Sequence, residues 1–185
     1  MADTTSSKPL KCQPRPRTGF RQLAPLLAGA LLSLLPQGGD LLAAENPPVD
    51  FGRVQRATRT CQRNLSDASP GPCSELRFEQ NREGLLNIRF VGPGSGEITS
   101  NLVTFVGVVK DGAAGLNCRE GRCRLDGPLS TEVTSVSELG FDQRGLPTGL
   151  PSAWPADGTC KVEKHDVHCE ARALSGERWS ARAEL

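Results

Sequence analysis

An antiparallel all-β domain, either a β-sandwich or a partly open barrel braced by disulfides, is the fold class this 185-residue sequence predicts. Three observations point to it. Apolar residues recur with period two rather than 3.6, cysteines fall into close couples, and 20 Gly with 14 Pro punctuate the chain at short intervals. No segment repeats at a fixed period, which argues against a propeller or solenoid.

The first 44 residues differ in kind from the rest. Lys8, Lys11, Arg15, Arg17 and Arg21 form a positive stretch, followed by the 13-residue apolar run Leu23–Leu35, broken only by Ser33. That run is shorter than the roughly 20 residues needed to span a bilayer and matches the apolar region of a signal peptide. Pro36, Gly38 and Gly39 end it, and Ala43 and Ala44 offer a cleavage site. The expectation is a signal peptide over residues 1–44 and a single disulfide-braced β-domain over 45–185, secreted or periplasmic, with no stable membrane span after processing. Thr4, Thr5, Ser6 and Ser7 leave a thylakoid-lumen leader as a lesser alternative, and Pro16 between Arg15 and Arg17 rules out a twin-arginine signal.

Charge excludes one class of partner. The chain carries 22 Lys+Arg against 21 Asp+Glu, and removing five basic and two acidic leader residues leaves 17 against 19, a net charge of −2. Neither value draws the molecule to a nucleic acid, and no nucleic-acid partner is expected.

Of seven cysteines Cys12 belongs to the leader, and an even set remains: Cys61, Cys73, Cys118, Cys123, Cys160 and Cys169. An even set fits a disulfide framework formed in an oxidising compartment. Spacing couples 61 with 73, 118 with 123, and 160 with 169. Two of the couples have a hairpin register. A turn at Glu120-Gly121 makes Arg119 and Arg122 the hydrogen-bonded pair and sets Cys118 opposite Cys123 in the next pair, with Cα atoms about 4.5 Å apart. A turn at Lys164-His165 sets Val162 opposite Val167 and Cys160 opposite Cys169, so that one face carries Cys160, Val162, Val167, Cys169 and Ala171. The other face carries Lys161, Glu163, His168 and Glu170.

Further strands follow from the same alternation. Leu86, Ile88 and Phe90 share a face; Leu102–Val109 is apolar on both faces, the pattern of a central strand covered on both sides. Between them Gly92–Gly96 is a hairpin loop. Other strands are predicted at 74–80, 114–118, 123–126, 131–139, 159–163, 167–173 and 178–185, and only Arg53–Leu65 offers a helical alternative. If Ala171, Ala173, Trp179, Ala181, Ala183 and Leu185 are to face the same core as Cys169, the loop near Ser175-Gly176 must hold an odd number of residues. Three residues with a left-handed glycine satisfy this, although the charge pattern allows two registers.

Residues 140–158 form one long segment without periodicity, in which Pro147, Pro151 and Pro155 forbid a regular interior strand or helix. Loops of this length in compact domains are usually functional or mobile. Trp154, Arg144, Asp142 and Asp157 are therefore the candidate ligand-binding residues, with Trp154 either a contact residue or a lid folded back on the core.

Catalytic readings are weak. Cys160, His165, His168 and Cys169 suggest a metal, but adjacent strand residues point to opposite faces and an oxidising compartment removes the thiols, so no metal and no cofactor are expected. His165-Asp166 has no placed nucleophile; Ser152 and Ser175 lie outside any G-x-S-x-G turn. The carboxylate pairs Glu75 with Glu79 and Glu163 with Asp166 are too ordinary to single out. The Gly92–Gly96 run lacks the Lys-Ser/Thr of a phosphate loop. Arg53, Arg56, Arg59 and Arg63 form a basic cluster that suits either an anionic polymer or lipid head group or a solvated face, and Asn64-Leu65-Ser66 is a glycosylation sequon. The functional expectation is an exported non-catalytic binding or structural module with an unidentified protein or polymer partner outside the cytoplasm. Alternatives are an inhibitor presenting residues 140–158 to an extracytoplasmic hydrolase and, behind it, a carboxylate-based hydrolase.

Overall fold

A computed structural model describes residues 50–66, 68–110 and 115–185. The proposed leader and its cleavage site lie outside the described residues. Twelve strands, and no helix among the described residues, build one sheet. They are β1 (Gly52–Ala57), β2 (Thr60–Arg63), β3 (Gly71–Pro72), β4 (Glu75–Gln80), β5 (Leu85–Pro93), β6 (Ser100–Val109), β7 (Asn117–Arg119), β8 (Gly121–Arg124), β9 (Leu129–Phe141), β10 (Ser152–Glu163), β11 (Asp166–Ala173) and β12 (Arg178–Glu184).

The order across the sheet is β3-β2-β12-β11-β10-β9-β6-β5-β4-β1-β8-β7, antiparallel throughout except for β1 with β8. Chain continuity curls this sheet into a partly open barrel. β1 and β2 are one bent run, as are β3 and β4, and the two runs pair with each other twice, at one end of the order and again two strands in from the other end. Gly52–Ala57 faces Glu75–Gln80, while Gln62 and Arg63 face Pro72 and Gly71. The bend is bridged by Thr58 N–H to Ser74 O, Cys73 N–H to Cys61 O and the Cys61–Cys73 disulfide. Four connections, 64–70, 94–99, 142–151 and 174–177, therefore gather at one end, here called the loop end.

Side-chain alternation sends one set of residues into the curl. Leu76, Phe78, Leu86, Ile88, Phe90, Val103, Phe105, Val133, Val136, Val162, Val167 and Trp179 are almost wholly buried there. Phe90 and Phe105 meet edge to face, centroids 5.8 Å apart. All six cysteines face this core as three disulfides, 61–73, 118–123 and 160–169. Both hairpin registers are as expected: Cys118 opposes Cys123 across a turn with Glu120 at φ 52° and Gly121 at 76°, and Cys160 opposes Cys169 beyond Lys164 at φ 56°. The last hairpin has its three-residue loop, closed by Ala173 N–H to Glu177 O with Gly176 at φ 113°, and this selects the register pairing Arg172 with Arg178.

Three expectations need correction. Arg53–Leu65 is extended, because β4 and β12 supply ladder partners that a lone amphipathic reading lacks. β6 is covered on its outer face only in part: Leu102 and Thr104 are buried, but Val108 stands 48% exposed. Residues 140–158 are not one irregular loop, since β9 runs to Phe141 and β10 starts at Ser152. Pro155 is tolerated inside β10 because the ladder to β11 begins only at Ala156, and the register to β9 breaks between Pro155 and Gly158.

Candidate functional site

The four residues singled out in 140–158 separate into three settings. Asp142 and Arg144 are used within their own turn. One carboxylate oxygen of Asp142 accepts the backbone N–H of Arg144 and of Leu146, each at 2.9 Å, and the other accepts the Arg144 guanidinium at 3.1 Å. The Leu146 amide, opposed by desolvation and aided by Arg144, holds the Asp142 carboxyl below its ordinary pKa. Asp142 N–H to Leu146 O, Thr148 N–H to Gly140 O and the Phe141–Pro147 bridge complete a pinned loop, with Gly145 at φ 75° where the turn needs it.

Trp154 leans into the loop end. It is half-buried, its ring 5.1 Å from that of Trp179, and its indole helps to keep the Glu177 carboxyl below its usual pKa, behind the larger effect of the Ser175 hydroxyl. Beneath the two rings is a polar cluster. Glu138 accepts from Trp179 Nε1 at 2.7 Å and from the Ser66 N–H at 2.5 Å. Arg63, only 4% exposed, has its pKa lowered by burial, with Glu138 acting the other way. Its guanidinium lies over Gly92, where a Cβ would sit 2.7 Å from Nη2.

Asp157 belongs to a third place, the outer wall of β10–β12. Register sets Asp157 beside Arg172 and Arg172 beside Arg178; in the next row Thr159, Glu170 and Ser180 are neighbours. These residues, with Asn64, Ala68 and Pro70, line a cleft of about 580 Å³ whose floor is Gly158, Ala171 and Trp179. Asn64 fixes the rim, donating to Arg178 O at 2.7 Å and accepting the Ser180 N–H at 2.6 Å. The sequon nitrogen is thus engaged in the fold. A backbone approach makes the floor: a Cβ at Gly158 would meet Glu170 O at 2.1 Å. Glu170, Arg172 and Arg178 were not among the residues singled out from sequence. Extending the 160–169 register by three residues aligns Asp157 with Arg172, but Arg178 joins them only once the last hairpin's register is chosen.

Other candidates are dispersed or engaged. His168 points outward beside Glu170, at 2.9 Å, while Cys169 points inward in its disulfide. Among the described residues no group of three His, Cys, Asp or Glu side chains is placed to hold a metal. Glu75 is bonded to Arg77 and Gln55, and Glu79 to Arg89 at 2.6 Å. The basic cluster of 53–63 is split by alternation: Arg53 faces outward, Arg59 meets Glu184 at 3.4 Å, and Arg63 is in the core. Among the described residues no helix is long and apolar enough to cross a membrane.

Compared with family models, with curated proteins and with solved structures, the chain has no match. The functional reading rests on the cleft and the loops.

Proposed function

We propose that this chain is an exported, non-catalytic binding module that holds a short peptide-like segment of an extracytoplasmic partner in the β10–β12 cleft. The observation that carries the reading is the row Asp157–Arg172–Arg178 along the wall of a cleft of about 580 Å³. A volume of that order suits a ligand of a few residues. Two adjacent guanidiniums suit a carboxylate, which they hold with paired hydrogen bonds, and Asp157 and Glu170 beside them suit a cation on the same ligand. The charged leader with its 13-residue apolar run supports export, and an oxidising compartment agrees with three disulfides.

The test uses a panel of short peptides with and without acidic side chains. An acidic member is expected to raise the melting temperature in proportion to its occupancy, and Arg172→Ala/Arg178→Ala to abolish the rise. A rise that survives in the double variant moves the site elsewhere. N-terminal sequencing of the native protein is expected to begin near Glu45; a chain that retains residues 1–22 contradicts export by this leader.

A second reading, an inhibitor of an extracytoplasmic hydrolase, is favoured by the pinned 142–151 loop. Leu150 stands 93% exposed on it and Leu146 50%. A loop already ordered by Asp142 loses little entropy on docking. Stoichiometric inhibition of a hydrolase, lost with Leu150→Asp, would replace the first reading with this one.

A further inference from the structure

At the end of the barrel opposite the four loops, arginines gather on one outer face, independently of the β10–β12 cleft. The antiparallel hairpin β7–β8 pairs Arg119 with Arg122, and the parallel ladder pairs Arg122 with Arg53. Registered neighbours in a sheet share a face, so Arg119, Arg122 and Arg53 form one row across three strands. All three are exposed. With strands about 5 Å apart, the row spans about 10 Å. Its next member is Glu79, already bonded to Arg89.

This arrangement costs stability in the free protein. Like charges directly opposed in a sheet repel, and among the described residues none of the three arginines has a carboxylate within ion-pair distance. The hairpin is nonetheless held rigidly. Cys118–Cys123 staples it, and the parallel contact is so close that a Cβ at Gly52 would meet the Gly121 carbonyl carbon at 2.6 Å. The row borders a groove of about 610 Å³ whose lining holds four arginines, 53, 77, 89 and 122, against two acids, Glu79 and Glu120.

We propose that this groove binds an acidic polysaccharide, a polymer whose sulfate or carboxylate groups repeat along the chain. Fourteen of the 17 basic residues after the leader are arginine, the side chain whose planar fork matches an oxyanion. Concavity suits a linear polymer. A flat anionic bilayer is disfavoured because insertion also needs a cluster of exposed apolar side chains: Leu146, Leu150 and Leu174 lie at the loop end, while at this end Phe51, before β1, and Val108, on β6, are separated by β4 and β5. A single-stranded nucleic acid is disfavoured because base stacking needs an aromatic platform. Phe78, the aromatic residue at this groove, is buried, and the nearby Phe51, although 45% exposed, already carries the Arg82 guanidinium over its ring, 4.4 Å from the centroid.

The experiment measures binding of the oxidised protein to a heparin oligosaccharide, to a single-stranded oligonucleotide and to phosphatidylglycerol-containing vesicles over a range of salt concentrations. Heparin is expected to bind most tightly, with affinity falling steeply as salt rises. Arg53→Gln/Arg119→Gln/Arg122→Gln is expected to weaken it by at least about tenfold while leaving the melting temperature unchanged or raised. Arg122→Gln alone, the mildest change to the hairpin, is expected to cost about threefold. Arg172→Gln/Arg178→Gln, in the other cleft, is expected to change heparin affinity by less than about twofold. Absence of heparin binding, equal binding by the triple variant, or preference for vesicles or oligonucleotide would each overturn the proposal.

Discussion

Arg63 is a charge in a place built from hydrocarbon. Burial lowers its pKa and Glu138 works in the opposite direction, while Glu138 itself is held by the Trp179 indole and the Ser66 amide. Removing the carboxylate leaves a buried cation without its nearby counter-charge and two part-buried donors without their acceptor. Glu138→Leu is therefore expected to cost about 3–5 kcal/mol, and Glu138→Gln, which retains an acceptor, about half of that. Chemical denaturation separates them, and equal costs would show that the carboxylate charge is immaterial. Trp154→Ala removes one ring of the tilted Trp154–Trp179 pair and is expected to cost about 2–4 kcal/mol, since the ring is only partly buried. An unchanged melting temperature would instead free Trp154 for ligand contact. Asp142 makes the loop sensitive to pH. Its native pKa lies below that of the unfolded chain, so its contribution is complete above the ordinary carboxyl range and is lost as pH falls through the lowered native value. Amide protection of Arg144 and Leu146 is expected to fall at acid pH in the wild type and to lose that dependence in Asp142→Asn, which keeps the acceptor oxygen without the titration.

Among the elements, hairpins were legible and the long β9–β10 connection was not. The 118–123 and 160–169 hairpins follow from period two and a two-residue turn, an argument that needs only six to ten residues. Parity alone requires an odd loop in the last hairpin, and the structure selects the three residues Leu174–Gly176. β10 escaped because Pro155 is forbidden in a strand only if a neighbour needs its N–H, and no residue in the segment reveals that the β11 ladder starts one position later. The bulge that accommodates Pro155 also brings Gly158 against Glu170 O. Gly158→Ala is expected to destabilise by about 1–3 kcal/mol by forcing the strands apart. Crystallography or carbonyl-sensitive NMR would locate the shift at β10–β11, and a neutral effect would mean that the bulge relaxes freely. Asp157 was found as a polar residue in a proline-rich stretch, whereas Arg172 and Arg178 read as the solvent face of two strands until register aligned them.

At the scale of the molecule, the bridges close loops with sequence separations of 12, 5 and 9 residues. Chain-entropy estimates assign about 2–3 kcal/mol to each, about 7 kcal/mol together, which is comparable with the whole stability of a typical domain. Full reduction is expected to leave the fold marginal, with a denaturation midpoint far below that of the oxidised protein; near-equal midpoints would show that the core of Phe78, Phe90, Phe105 and Trp179 suffices. The sequence by itself determined the all-β class, the 118–123 and 160–169 pairs and the inward face of the regularly alternating strands, because alternation and short-loop geometry act over neighbouring residues; for 61–73 it offered spacing alone. Only the tertiary structure decided that β1–β2 and β3–β4 are two bent runs that pair with each other twice, that Arg63 lies inside while Arg53 lies outside, and that Arg119, Arg122 and Arg53 share a row. The first depends on the β1–β4 and β2–β3 pairings, and the other two on strands that meet across 60 or more residues of chain, β1 with β8 and β2 with β12. Such long-range pairings are set by total burial and loop closure, and no local pattern encodes them.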